Sequence, residues 1–309
     1  MKTLQSRIRN RCKLLTILIL LLLCVSFLGS GLPAHRSVAQ DVRRNCLWSL
    51  QSHSNVVYLL GSLHIASPSV HPLSAVIEEA YADSQKIVLE TDLTAIQDPL
   101  LQAKMLELGL YPEKENLYQN IDGETRRLLE GKMSELRIPS EQFGRFKPWF
   151  IALTLASLEL QRLGFDPNYG IDIYFLNKAK ADGKELGFLE PPEYQFSLFG
   201  KMDKQDQSSF LRQTLKDLEQ VTDLAEDLVR HWKNGNGDDL HAILFKSFKD
   251  HPRIYERLLL QRNREWAGKV VEMMHENQNV LLIVGVGHLV GPGSVVDLLQ
   301  KKGYKLEQL

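Results

Sequence analysis

Two apolar runs decide what this chain can fold into: Val56-Val57-Tyr58-Leu59-Leu60 and Val280-Leu281-Leu282-Ile283-Val284, near opposite ends of the body. Short, continuous apolar runs bounded by turn residues read as strands buried on both faces. The second run is the strongest strand in the chain. Leu47 to Leu50 pairs with the first across the polar turn at residues 52–55. Ile87-Val88-Leu89 and Leu186-Gly187-Phe188-Leu189 are shorter strands, and Tyr304 to Gln308 is a last one. Helical stretches lie between them: Pro72 to Ser84, several across 95–163 with an apolar one from Pro148, and Ile171 to Ala181, stopped by Asp182-Gly183. Residues 201–230 and 252–276 read as long amphipathic helices, separated by the breaker Asn234-Gly235-Asn236-Gly237. This alternation predicts an α/β domain with a mixed, largely parallel sheet. The helix-rich stretches, about 90–185 and 195–275, read as insertions over one end of that sheet.

The strand ends carry the chemistry. His64 follows the first run through Gly61-Ser62-Leu63, and His288 follows the second through Gly285-Val286-Gly287. Glu90 directly follows Val88-Leu89, and Glu190 directly follows Phe188-Leu189. Ligands of open α/β sheets bind at the carboxyl ends of the strands, so four strands deliver His, Glu, Glu and His to one rim. Two imidazoles and two carboxylates suffice for a divalent metal or for paired acid–base work. Taken singly, a strand-end Glu serves as well in a helix cap or an ion pair, and a lone His beside glycine is more often structural. The set of four, with strand–Gly-x-x-His repeated, points to a site. The remaining body histidines, His53, His71, His231, His241, His251 and His275, read as solvated.

Leu259, Asn263, Trp266 and Val270 share one helical face, with Arg262 flanking them. A buried-edge Arg262-Asn263 pair suits orienting a carboxylate or stabilising an oxyanion, and equally a structural ion pair. Lys147-Pro148-Trp149 reads as a helix start, and Asp172 as a capping or dipole-matching residue. Gly291-Pro292-Gly293 resembles an anion-binding helix start but lacks the Lys-Ser/Thr of a P-loop. The sequence has no His-Glu-x-x-His, no Gly-x-Ser-x-Gly and no strand–Gly-x-Gly-x-x-Gly–helix unit.

Net charge is −1, from 37 basic and 38 acidic residues, but the sum hides unlike parts. Residues 1–39 hold six basic residues and no acidic one, which leaves a body of −7. That sign argues against general nucleic-acid binding. Basic residues 2–13, the apolar run Leu14 to Leu28 and a small-residue stretch ending Ser37-Val38-Ala39 form the three parts of a secretory signal. The alternative is an uncleaved anchor over 14–28, which would be the protein's contact with the cytoplasmic membrane. Cys46 is the one cysteine of the body, so no internal disulfide is expected there, and its apolar surroundings read as those of an inert thiol. The expected organisation is a leader or anchor over 1–39 and a single domain over 40–309, periplasmic or extracellular.

In order along the chain, Cys46-Leu47-Trp48, Leu60-Gly61-Ser62-Leu63-His64-Ile65, Val88-Leu89-Glu90, Lys147-Pro148-Trp149, Gly170-Ile171-Asp172, Leu189-Glu190 with Gln195, Arg262-Asn263 and the ending from Val284 through His288 to Leu309 resemble the TraB/GumN (TraB/PrgY/GumN) family, which includes the Tiki extracellular proteases. The likeness covers about residues 44–309. One departure is Glu190-Pro191-Pro192, where the family usually has Glu-Thr. The resemblance implies a fold akin to the erythromycin-esterase and ChaN-like proteins, with the Gly-x-x-His histidines and strand-end glutamates in the active site. It also implies a divalent metal such as manganese or cobalt, and a peptide or protein substrate. On that reading His64 and His288 hold the metal, Glu90 or Glu190 completes its ligands while the other is general base, and Arg262 or Asn263 stabilises the oxyanion. Two alternatives stay open: a metal-independent, esterase-like hydrolase with a histidine base, and a non-enzymatic haem- or metal-binding protein.

Overall fold

The computed structural model describes residues 44–249 and 251–309, and the expected leader or anchor over 1–39 lies outside the described residues. The described chain divides into two compact units, one of residues 91–167 and 190–221, the other of residues 44–90, 168–189 and 222–309.

The second unit holds the sheet. Its strands are β1 (Leu47–Gln51), β2 (Val56–Ser62), β3 (Lys86–Leu89), β4 (Glu185–Phe188), β5 (Val280–Gly285) and β6 (Leu306–Gln308), in the order β4-β3-β5-β2-β1-β6. β4, β3, β5 and β2 run parallel, while β1 is antiparallel to both β2 and β6. The sheet is thus mixed and largely parallel, as the alternating pattern predicts. Every residue of β5 is buried, which is why this strand reads as a continuous apolar run. Burying its Leu and Ile side chains is worth roughly 1.5–3 kcal/mol each, so β5 takes the centre. It pairs Ser62 with Gly285 and Leu89 with Ile283, which sets the ends of β2, β3 and β5 on one rim.

Local signals place the helices of this unit. Ser74 caps the helix Ala75–Asp83, which starts three residues later than Pro72 suggests, and Gly183 ends Ile171–Asp182 with a left-handed φ of 68°. The helix Gly237–Phe248 follows directly on the expected breaker, with Asp238 and Asp239 in its first turn matching the helix dipole. The expected helix over 252–276 is three pieces: Pro252–Tyr255, a π-helical turn Glu256–Leu260, and Gln261–Met273. Cys46 is buried, as its apolar surroundings suggest, donates to the Trp232 carbonyl, and has its thiol pushed up by burial.

The first unit is helical: Pro99–Gly109, Gly123–Glu135, Pro148–Arg162, Pro192–Gly200 and Lys204–Asp217. Pro148 stands in the first turn of its helix, where a missing N–H costs nothing. Trp149, Phe199 and Phe210 run ring to ring through its core, at 5.8 and 5.7 Å. The expected helix over 201–230 is interrupted by a 3-10 turn at Leu218–Gln220. Among the described residues no helix is long and apolar enough to cross a membrane.

Candidate active site

The carboxyl ends of β2, β3 and β5 bring together His64, Glu90 and His288, and the helix Gln261–Met273 adds Arg262 and Asn263. All five side chains are at most 3% exposed. Glu90 Oε1 lies 3.7 Å from His64 Nε2 and 3.9 Å from His288 Nε2. Glu190 follows Leu189, whose N–H extends the β3–β4 ladder to Leu89 O, and it too is buried. It opens the 190–221 segment of the other unit.

Glycine makes the close approach possible. A Cβ on Gly285 would stand 2.8 Å from His64 Nε2 and 3.3 Å from Glu90 Oε1. A Cβ on Gly61 would stand 2.8 Å from Val286 Cγ2, so the two Gly-x-x-His segments touch where no side chain fits. Behind them, the Trp232 indole N–H donates to Gly61 O at 2.7 Å and fixes the loop leading to His64.

His64 is oriented by a residue that the sequence reading placed elsewhere. Its Nδ1–H donates to Asp172 Oδ2 at 2.7 Å, and the other carboxylate oxygen, Oδ1, accepts from Ser62 Oγ at 2.7 Å. Asp172 sits in the first turn of Ile171–Asp182, where a dipole-matching residue belongs, but it is buried and spends its charge on His64. The Ile171 N–H bonds Leu63 O at 3.1 Å and ties that helix start to the His64 loop. Only the order of motifs along the chain hinted at this pairing. With Nδ1–H committed, Nε2 carries the lone pair, and among the described residues this buried nitrogen has no hydrogen-bond partner.

His288 is held in the same tautomer by different means. Its Nδ1–H donates to Asn263 Oδ1 at 2.6 Å, and the Asn263 amide N–H donates to Gly293 O at 2.8 Å, which fixes the amide's orientation. Its Nε2 accepts from Arg262 Nη1 at 3.1 Å. Arg262 also donates from Nη2 to Glu90 Oε2 at 2.7 Å and from Nη1 to Leu258 O, inside the π turn, at 3.0 Å. Its guanidinium lies 4.4 Å from the Trp266 ring centre, a cation–π contact, and Trp266 lies 4.4 Å from the His288 ring. The other oxygen of Glu90, Oε1, accepts the Gly285 N–H at 2.6 Å.

The two histidines are driven apart electrostatically. Burial pushes both down. At His64 the Asp172 charge and hydrogen bond, with the Glu90 charge, outweigh burial and Arg262, so the imidazole titrates above its ordinary value. At His288 burial is joined by repulsion from Arg262 and His64, so it stays neutral far below that value. Titratable groups pushed in opposite directions mark divided acid–base roles.

A divalent metal would be held by nitrogen and oxygen donors at about 2.0–2.2 Å. The bare Nε2 of His64 suits such a role, because an Asp-oriented imidazole is the usual form of a metal-ligating histidine. The rest of the donor set does not fit. The His288 lone pair is already given to Arg262, Glu90 spans Arg262 and Gly285, and a dication here would stand against a buried guanidinium. Among the described residues no group of three or more His, Cys, Asp or Glu is arranged to hold a metal ion. A cleft of about 870 Å³ lies among residues 234–239 and 289–297, next along the chain from His288, but neither His64 nor Glu90 lines it.

The model of the TraB/PrgY/gumN family matches residues 46–308, so it takes in both compact units. The chain belongs to the TraB/PrgY/gumN family. Among its relatives is the uncharacterized protein YbaP of Escherichia coli, 25% identical over 243 residues, which cover 79% of this chain and 87% of YbaP. Metalloprotease TIKI2 of Danio rerio is 25% identical over 93% of this chain and 67% of its own length. Metalloprotease TIKI2 of Xenopus tropicalis is 23% identical over 90% of this chain and 61% of its own length. No solved structure matches the chain.

Proposed function

We propose that this TraB/PrgY/gumN member is a hydrolase acting on peptide bonds, with His64 as general base. The observation that carries the proposal is the Asp172-oriented imidazole whose bare Nε2 stands at the strand-end rim. Among the described residues that nitrogen has no hydrogen-bond partner, and the nucleophile in this reading is water. His64 Nε2 takes a proton from water as its oxygen bonds to the substrate carbonyl carbon, and the imidazolium that forms is balanced by Asp172. The Arg262 positive charge stabilises the oxyanion, with Glu90 and the neutral His288 holding the guanidinium in place. The C–N bond then breaks, and His64 returns its proton to the leaving amine. Asn263 fixes the His288 tautomer.

The relatives named metalloproteases support a peptide or protein substrate. The resemblance implies a divalent metal such as manganese or cobalt on His64 and His288 with Glu90 or Glu190, and the donor set does not fit it. The N-terminal pattern supports export to the periplasm or beyond, with 40–309 as one family domain and residues 14–28 as the anchor if they are retained. The erythromycin-esterase and ChaN-like likeness is part of this same reading. Incubation of the purified protein with a mixed peptide library, read by mass spectrometry, tests it. Cleavage that disappears in His64→Gln is expected; cleavage that persists undiminished in that variant refutes the assignment.

A further inference from the structure

We propose that Arg262 is the resident cation of this site and excludes a divalent metal from it. The inference deepens the hydrolase reading and rests on it for the cation's catalytic use, though not for the metal-binding behaviour.

The geometry carries it. Glu90, His64 and His288 present to one another the atoms that would ligate a shared ion, with Glu90 Oε1 3.7 and 3.9 Å from the two Nε2 atoms. A guanidinium already answers two of those three residues, through Nη2 to Glu90 and Nη1 to His288. Arg262 is 1% exposed, and its hold does not depend on the site alone. The π turn Glu256–Leu260 ends two residues before it and offers the Leu258 carbonyl to Nη1, while Trp266 lies beneath the guanidinium. A widened turn of this kind recurs at functional sites because it re-aims the residues that follow it. Removing the guanidinium to admit an ion would leave these contacts unmade in a dry interior, where unpaired polar groups are costly. Keeping it would place a dication against a fixed positive charge.

The chemistry is consistent with this. An arginine supplies planar, directed N–H donors to a developing oxyanion and is never deprotonated in the working pH range. Asn263, which holds the Nδ1–H of His288, aims the His288 lone pair at Arg262. Two of the three residues a metal would draw on are therefore already committed to a side chain.

Cobalt(II) titration of the purified protein, followed by visible absorption and by elemental analysis after gel filtration, tests the proposal without an activity assay. The wild-type protein is expected to show no ligand-field band and no stoichiometric cobalt or manganese. Arg262→Met keeps an apolar stem over Trp266 and releases Glu90 and His288. It is expected to bind about one equivalent, roughly 100-fold or more tighter than wild type, and to lose that binding when His64→Gln is added. Arg262→Gln is the second variant should the first fail to fold. One equivalent of metal in the wild type, lost on His288→Gln, overturns the proposal. So does the absence of binding in both Arg262 variants, if circular dichroism shows them folded. A protein that cleaves no peptide yet follows the expected metal pattern would sink the hydrolase reading and leave this one standing.

Discussion

Asp172→Asn should convert His64 from a raised to a depressed base. The substitution keeps the shape, because the amide oxygen still accepts His64 Nδ1–H and the amide nitrogen can turn to Ser62 Oγ. What it removes is a buried negative charge whose centre lies about 4 Å from that of the ring, worth about 4 kcal/mol at an effective dielectric constant of about 20. Burial and Arg262 already press His64 downward, so with Asp172 neutralised only Glu90 opposes them and His64 should titrate below its ordinary value. The sign carries over to stability. A histidine raised in the folded state contributes stability that is full below its unfolded pKa and lost as pH rises through the folded one. The Asn variant should therefore be more destabilised at pH 5 than at pH 8. The assay is NMR titration of the histidine Cε1–H signals, assigned with His64→Gln, alongside urea denaturation at both pH values. Hydrolysis should fall by roughly 10²–10⁴-fold. If the His64 titration is unmoved or shifts upward in Asp172→Asn, the orientation scheme is wrong.

Three further outcomes follow from the same geometry. Gly285→Ala places a methyl 2.8 Å from His64 Nε2; hydrolysis should be lost and stability should fall by about 1–3 kcal/mol, whereas a fully active alanine variant would show that the nitrogen does not work from this side. His288, depressed in the folded state, contributes stability that is full above its unfolded pKa and lost as pH drops below it, and Asn263→Asp should flatten that acid limb in urea midpoints taken from pH 8 to 5; an unchanged slope refutes this. Trp232→Phe leaves the Gly61 carbonyl without its indole donor and should cost about 1–3 kcal/mol by chemical denaturation, with a wild-type midpoint as the contrary result.

The strands and their terminal residues were legible because both are local. An apolar run closed by Gly-x-x-His states its burial and its turn within a few residues, and the parallel order of β2, β3 and β5 then sets His64, Glu90 and His288 on one rim. Arg262 and Asn263 were legible from their place beside an apolar helical face, and both are buried there. Asp172 was not, because its first-turn position has a sufficient local explanation and its real partner is far away in the chain. The π turn was hidden for a similar reason: residues 252–276 have continuous helical periodicity, and the insertion shows only once Arg262 has contacts to satisfy. Helix Gly237–Phe248 was masked by the glycines before it, although its acidic first turn is an ordinary start signal. His231 and His241, read as solvated, are partly buried, the first paired with Asp239 and the second stacked on Phe245.

The central position of β5 also governs when the protein can become itself. The strand that separates β2 from β3 follows both at long range in the chain, and until it docks those two have no partner in common. Contacts this distant in sequence close slowly, so both the finished sheet and the Glu90–Arg262–His288 cluster wait on that closure. The cluster is thereby tied to the docking of β5: without it Glu90 has no Gly285 N–H to accept and His288 has no place on the rim.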